Sequence, residues 1–338
     1  MKKFQENLAI SFDDILLIPK KSNIASRKDI NVKMGEYELP IVSSPMDTVS
    51  ENKMVAAISN LGGLGIIHRY MDKSKQLEEL SLALSETSNN NGIGVAISSK
   101  DAFDNNYIKE IITLGCTLVC IDTANGHSQA PLDAVIELKI NYPKLRVMVG
   151  NVATSEGFVA LANAEADYVR VGIGGGSVCT TRIVTGHGVP TLQSLLLVKQ
   201  AKDELQLSTK IVADGGLRNS GDIVKAFAAG ADLVMLGSLL AGCEESPGVV
   251  INGFKAYRGM ASKEAQQEWR DHVSVEEGIS TVVEYKGSVD KIINELMAGV
   301  KSGCSYSGVD KLRDLHDNAE YIVVSTATLN ESKPHAKK

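Results

Sequence analysis

The chain has 338 residues, 43% of them hydrophobic and 22% charged, with a formal net charge of −6. That balance excludes a disordered or fibrous polymer and fits a large globular enzyme domain. A pI near 5.6 without a basic stripe argues against a nucleic-acid surface, and no apolar run is long enough to span a membrane.

The amino terminus, Met-Lys-Lys-Phe-Gln-Glu-Asn, leads into no apolar segment, so no signal peptide is expected and the cytosol is the default compartment. Residues 1–38 precede the first strand signal and are expected to cover the lower end or an edge of the domain. Eight short Val/Ile-rich runs follow, each closed by Gly, Asn, Asp or Ser. They are Leu39–Met46, Gly62–His68, Asn91–Ile97, Thr117–Asp122, Leu145–Asn151, Tyr168–Ile173, Lys210–Asp214 and Leu233–Gly237. The runs are continuously apolar rather than alternating, as strands covered on both faces of a parallel sheet are. Between them lie helix-patterned segments such as Glu51–Leu61, with Ser50 placed as an N-cap, and Gly221–Gly230. Eight strand–helix units favour a closed (β/α)8 TIM barrel over a doubly wound sheet, as a single domain over residues 1–338. After the eighth strand, residues from about 244 to 288 form a Gly-, Glu- and Lys-rich connection, read as a lid because long loops at a catalytic face are usually functional. The tail, about 325–338, is expected to be disordered.

A barrel's active site lies at the carboxyl ends of its strands. Here those ends carry Ser44, Met46 and Asp47, then His68, Asp122, Asn151, the loop Gly174–Arg182, Asp214–Gly216 and Gly237–Ser238. Within the Gly-rich loop stands Cys179, flanked by Ser177, Thr180 and Thr181. A cysteine is more often a small buried hydrophobe than a catalyst, but a flexible polar loop at a strand end reverses that preference and makes Cys179 a candidate nucleophile. Cys116, Cys120, Cys243 and Cys304 read as packing residues, since no zinc-type spacing surrounds them. The loops Ala213-Asp-Gly-Gly216 and Met235-Leu-Gly-Ser238 close strands seven and eight, where barrels frequently bind phosphate. Asp214 suits a ribose diol, so the combination indicates a nucleoside monophosphate; the alternative is that these glycines serve only tight turns. His68 and His127 lie at strand ends within reach of a ligand, and His187 follows the cysteine loop. His272, His316 and His335 read as surface residues.

Six ordered motifs carry a family resemblance. Ser43-Ser-Pro-Met-Asp-Thr-Val49, Gly174-Gly-Gly-Ser-Val-Cys-Thr-Thr-Arg182, Ala213-Asp-Gly-Gly216, Met235-Leu-Gly-Ser-Leu-Leu240, Glu244-Glu-Ser-Pro-Gly248 and Tyr257-Arg-Gly-Met260 together resemble the IMP dehydrogenase / GMP reductase family, from about Phe12 to the tail. One departure is Gly175, where the family usually has proline. The resemblance implies that Cys179 attacks purine C2 of a bound monophosphate to give a thioimidate, with hydride exchanged with a nicotinamide cofactor. It implies catalytic roles for Thr181 and Glu277. Ser44, Met46, Ser177, Asp214, Gly215, Gly216, Gly237, Ser238, Tyr257, Gly259 and Met260 would bind the nucleotide. Asp122 and Asn151 would border the cofactor, and the carbonyls of Gly174, Gly176 and Cys179 would hold potassium. A homotetramer is implied as well.

Within the family two activities compete. The chain runs from His68-Arg-Tyr70 straight into the next helical segment, with no room for the CBS pair that the dehydrogenases usually insert. Their flaps also carry an Arg-Tyr dyad that activates water, whereas Met260 to Glu277 here is short and holds none, Trp269-Arg270 being the nearest approach. These features resemble a GMP reductase using NADPH. Ser43–Val49, Leu236–Gly248, Tyr257–Met260 and the Glu331–His335 tail look more like an NAD-dependent IMP dehydrogenase. A purine-binding barrel without turnover and a flavin-dependent barrel are the readings from other classes.

Overall fold

The computed structural model describes residues 8–88, 92–269 and 273–334. In chain order come β1 (Ile15–Leu17), β2 (Ile41–Ser43), α1 (Asn52–Asn60), β3 (Gly65–Ile67), α2 (Lys73–Ser85) and β4 (Ile93–Ile97). Then follow α3 (Asn105–Thr113), β5 (Leu118–Asp122), α4 (Gln129–Asn141), β6 (Arg146–Val152), α5 (Ser155–Asn163) and β7 (Tyr168–Val171). Two helices, α6 (Thr181–Thr185) and α7 (Thr191–Glu204), precede β8 (Lys210–Asp214), α8 (Ser220–Ala228), β9 (Leu233–Leu236) and α9 (Ser238–Ala241). The last elements are β10 (Phe254–Arg258), α10 (Lys263–Trp269), β11 (Ser280–Glu284), α11 (Val289–Tyr306), α12 (Leu315–Asn318), β12 (Tyr321–Val323) and α13 (Thr326–Glu331).

Strands β2 to β9 form one parallel sheet in the order β2-β9-β8-β7-β6-β5-β4-β3. A parallel bridge between Val42 and Leu64 joins its two edges, so the sheet closes into the expected (β/α)8 barrel. Seven of the eight strands fall within the apolar runs and β6 overruns its own by one residue, Val152; Asn91, at the start of the third run, lies outside the described residues. β2, β3, β4, β7 and β9 are buried along their whole length, which is why they read as unbroken hydrophobic runs.

Side chains two residues apart share a face of a strand. Leu118, Cys120, Met148, Tyr168, Val212 and Met235 accordingly form an apolar cluster inside the barrel. One step further along, the same faces carry Asp122, Gly150, Arg170 and Asp214. The interior thus changes from apolar to charged toward the carboxyl ends, where the site sits.

The amino-terminal segment corrects one expectation. Tyr37 packs into the inner cluster, and Glu36 pairs with Arg146 and accepts from Tyr168 Oη at 2.7 Å. Residues 36–37 therefore do plug the lower end. Residues 10–14 instead reach the opposite rim. There Asp13 pairs with Arg218 at 2.6 Å, and the Phe12 carbonyl accepts from Lys225 Nζ at 2.7 Å. Just before the tail, β12 pairs antiparallel with β1, and within it α13 spans Thr326–Glu331; residues 335–338 lie outside the described residues. Ser50 does not cap α1. Val49 N and Ser50 N both donate to Met46 O, and that turn draws Ser50 inward, so Glu51 occupies the cap position.

The connection after β9 is a folded flap rather than a structureless loop. β10 and β11 pair antiparallel from Phe254 opposite Glu284 to Arg258 opposite Ser280. Lys255, only 2% exposed, anchors this hairpin to the barrel: its Nζ donates to Cys243 O at 2.9 Å and to Ser246 O at 2.5 Å. Lys255→Met would remove the charged donor from both carbonyls and leave Cys243 O only its bonds from Ser246. It should lower the denaturant-unfolding free energy by about 2–3 kcal/mol, the cost of losing charge-assisted bonds to buried groups.

Candidate active site

One buried cation organises the top of the barrel. Arg170 points inward from β7, 6% exposed, and its Nη1 donates to Asp122 Oδ1 at 2.7 Å. Its Nε and Nη2 donate to Asp214 Oδ2 at 3.1 and 2.9 Å. Asn151 Nδ2 donates to the same Asp214 oxygen at 2.7 Å and to Gly172 O at 2.8 Å. Arg69 Nε and Tyr70 Oη, in the loop after β3, each lie 3.3 Å from Asp122 Oδ2. Burial pushes the Asp122 pKa up, but the Arg170 and Arg69 charges outweigh it and hold the carboxyl below its ordinary value. The neighbouring strand makes room for the guanidinium: a Cβ at Gly150 would lie 2.5 Å from the Cβ of Arg170.

The cysteine loop leaves β7 and packs under the flap. Cys179 is half-buried, and its Sγ donates to Thr181 Oγ1 at 3.2 Å. Burial pushes the other thiols up, to about 11 for Cys116 and Cys304 and about 12 for Cys120 and Cys243. These four are the packing residues the sequence indicates. The flap is stitched to the loop. Thr180 N donates to Glu277 O and Ile279 N to Val178 O, both at 3.0 Å, with Cys179 bridged to Gly278. Gly175 has a local reason to lack a side chain, since its Cβ would meet the buried Thr191 Oγ1 at 2.6 Å.

A cleft of about 440 Å³ opens over this loop. Its wall contains Cys179, Thr181 and Glu277, and the two cofactor candidates Asp122 and Asn151. Ser44, Met46, Ser177, Asp214, Gly215, Gly216, Gly237, Ser238, Tyr257, Gly259 and Met260 line it too, as do Gly174 and Gly176. The residues singled out from eight separate segments therefore meet in one place. Tyr257 Oη lies 3.3 Å from Ser177 Oγ; burial raises its pKa, so it stands there as a neutral hydroxyl. A second hollow of about 510 Å³ adjoins the cleft, sharing Arg69, Tyr70 and Met260 and adding Met71, Asp72, Ala265, Glu268 and Trp269.

None of the described histidines lines the cleft. His68 is 1% exposed; its Nδ1 accepts from Tyr70 N at 3.1 Å, leaving Nε2 to donate to Glu51 at 3.3 Å. That position orients the Arg69–Tyr70 loop from behind. His127 and His187 are exposed. His316 is half-buried rather than a surface residue, with Nδ1 2.9 Å from Ala228 O. His272 and His335 lie outside the described residues.

Sequence reasoning missed Arg69, Tyr70, Arg170, Ser274 and Val275 on the cleft wall. For Arg170 there was a signal, an arginine inside the apolar run Tyr-Val-Arg-Val, because a charge in a buried strand needs partners. Ser274 and Val275 gave none.

Arg170→Leu would strand Asp122 and Asp214 without their shared cation. Unfolding free energy at neutral pH should fall by about 3–5 kcal/mol, as for broken buried ion pairs. Left with Arg69 and Tyr70 alone, the Asp122 carboxyl would have a folded-state pKa above that in the parent protein, so the deficit should shrink as pH falls below about 5, in chemical denaturation across pH.

The comparisons with known proteins agree with this geometry. A family model described as IMP dehydrogenase / GMP reductase domain matches residues 9–335. The inosine-5'-monophosphate dehydrogenase of Borreliella burgdorferi is 34% identical over 392 aligned positions, covering 97% of this chain and 96% of the relative. A GMP reductase of Caenorhabditis elegans is 35% identical over 345 positions, covering 97% and 95%. The inosine-5'-monophosphate dehydrogenase of Cryptosporidium parvum is 33% identical over 381 positions, covering 96% and 94%. The protein belongs to the IMP dehydrogenase / GMP reductase family.

Proposed function

We propose that this NAD(P)-dependent oxidoreductase is a GMP reductase, converting GMP to IMP and ammonia on one catalytic domain that spans the chain. The observation that carries the reading is the flap. Between Met260 and Glu277 it brings Ala261, Ser274, Val275 and Glu277 to the cleft, with no Arg-Tyr pair to prepare water for hydrolysis.

The purine C2 sits against Cys179 Sγ. Deprotonated Sγ adds to C2, the bond from C2 to the exocyclic amine breaks, and ammonia leaves with the proton that the thiol gave up. Thr181 Oγ1, 3.2 Å from Sγ, relays that proton, and Glu277 on the facing wall stabilises the departing ammonium. Reduced nicotinamide supplies a hydride to C2, and the C–S bond then breaks to return the thiolate. Asp214 accepts from the ribose diol, its other oxygen being held by Arg170 and Asn151. Ser177, Tyr257, Ser238 and the backbone of Gly215, Gly216 and Gly237 hold the phosphate. Ser44 and Met46 pack on the nucleoside, while Gly259 and Met260 line the base pocket.

The site fits a dinucleotide. The cleft matches a monophosphate in size, and the adjoining hollow adds Arg69 for a diphosphate and Trp269 for an adenine ring. Asp122 and Asn151 flank its nicotinamide end, and NADPH is the reductant that the reductase reading implies. For potassium, Gly174, Gly176 and Cys179 offer carbonyls of the right chemical type, although Gly176 O also accepts from Cys179 N at 3.1 Å. A homotetramer in the cytoplasm completes the proposal. It is supported by the exposed apolar residues Val249, Val250, Ile251, Phe254 and Val282 on and beside the flap hairpin.

A second reading, IMP dehydrogenase using NAD, is favoured by one specific feature: Arg69 and Tyr70 line the same cleft with their side chains on Asp122. Tyr70 would then be the group beside which water is activated. Incubation with GMP plus NADPH should consume the nicotinamide absorbance, and Cys179→Ala should lower the rate by at least about a thousandfold. Reduction of NAD by IMP, with no turnover of GMP, would reverse the assignment in favour of the dehydrogenase.

A further inference from the structure

The flap owes its shape to a residue that no part of the chemistry uses. Gln266 lies on α10 and is only 1% exposed, as is its neighbour Ala265, whereas Lys263, Glu264, Gln267, Glu268 and Trp269 face solvent. Its Nε2 donates to Ala261 O at 3.0 Å and to Val275 O at 3.1 Å. Its Oε1 accepts from Ser274 N at 2.9 Å and Ser274 Oγ at 2.8 Å. A primary amide is the neutral side chain that offers two donors and two acceptor sites in one plane. Here all four are spent across the two limbs of the flap.

Those limbs need such a link. The β10–β11 ladder stops at Arg258 opposite Ser280. Beyond it, Gly259 N donates to Ile279 O at 3.0 Å and Glu277 N to Ala261 O at 3.1 Å. Ala261 O is thus shared between Gln266 and the backbone of Glu277. The residues at this link, Ala261, Ser274, Val275 and Glu277, all line the cleft. We propose that Gln266 is a positioning residue that sets the flap wall of the purine pocket and with it the place of Glu277. An alkyl side chain would remove all four of these bonds at once, leaving Ala261 O only the bond from Glu277 N, and the wall would then sample other arrangements. The inference rests on the purine-nucleotide reading of the cleft but not on the direction of the reaction.

The protein carries its own reporter. Trp269, the single tryptophan, closes α10 and donates from Nε1 to Asp47 Oδ2 at 3.1 Å. Its emission therefore follows the docking of α10. In Gln266→Met, emission should shift to the red, Kd for GMP and for IMP in a fluorescence titration should each rise about tenfold, and kcat should fall by a similar factor. Gln266→Glu supplies the second arm. Ionised, it lacks the donors; protonated, it regains one, so its deficit in kcat should shrink as pH falls from about 8 to about 6, while that of Gln266→Met stays constant relative to the parent protein. Residue 266 acting only in stability would lower the thermal midpoint and leave Kd, kcat and this pH contrast unmoved, which overturns the proposal. If the parent protein bound both nucleotides and turned over neither, the assigned reaction would fail while the binding contrast would still decide the role of Gln266.

Discussion

Two carboxylates, Asp122 and Asp214, face the mouth of the barrel and are held by one buried guanidinium between them. Without Arg170 their charges would have no compensation in an interior whose next layer is Cys120, Met148 and Val212. With it, each acid is fixed by short bonds, 2.7 Å to Asp122 and 2.9 Å to Asp214. The polar side chains around the mouth of the barrel are held outward from this cluster. Asn151 is oriented by Asp214 and Gly172, and Arg69 and Tyr70 by Asp122. Gly150 stays without a side chain because Arg170 occupies its space. The arrangement is preorganised: the dipoles and charges stand in place before any ligand arrives, so binding need not reorder them.

Cys179 depends on a different support. Its loop contributes few side chains of its own and takes its shape from the flap, through the bonds of Thr180 and Val178 to Glu277 and Ile279. Flap and loop are therefore one mechanical unit. A displacement of the flap moves Glu277 and the backbone around Cys179 together. The flap is tied to the barrel in turn by Asp47, which accepts from both Arg258 and Trp269, and by Lys255 beneath the hairpin. A polar set of anchors suits a segment that has to admit a nucleotide, since such contacts can be exchanged for water more readily than a packed apolar face.

Much of this was legible before any coordinates. The eight apolar runs gave the barrel because strands buried on both faces leave a one-dimensional record, and strand ends rich in Gly and Ser gave the cleft for the same topological reason. Less was legible where long-range contacts decide. Arg170 sits inside an apolar run, and its two acid partners lie 48 and 44 positions away. The reach of Phe12 and Asp13 to Lys225 and Arg218 depends on partners about two hundred positions away. The hairpin in the flap leaves no such record, because β11 is largely exposed and β10 alternates between buried and exposed residues, so neither has the unbroken apolar signature of the barrel. Ser274 and Val275 join the wall through Gln266, a glutamine that in sequence looks like any exposed helix residue.

The central claim is that Cys179 becomes covalently attached to purine C2. Intact-protein mass spectrometry after mixing with GMP in acid-quenched solution tests it most directly. The account predicts a species heavier than the free protein by one GMP less one ammonia, absent in Cys179→Ala and discharged when NADPH is added before the quench. GMP turnover with no such adduct under any quench condition, or an adduct that survives in Cys179→Ala, would contradict it.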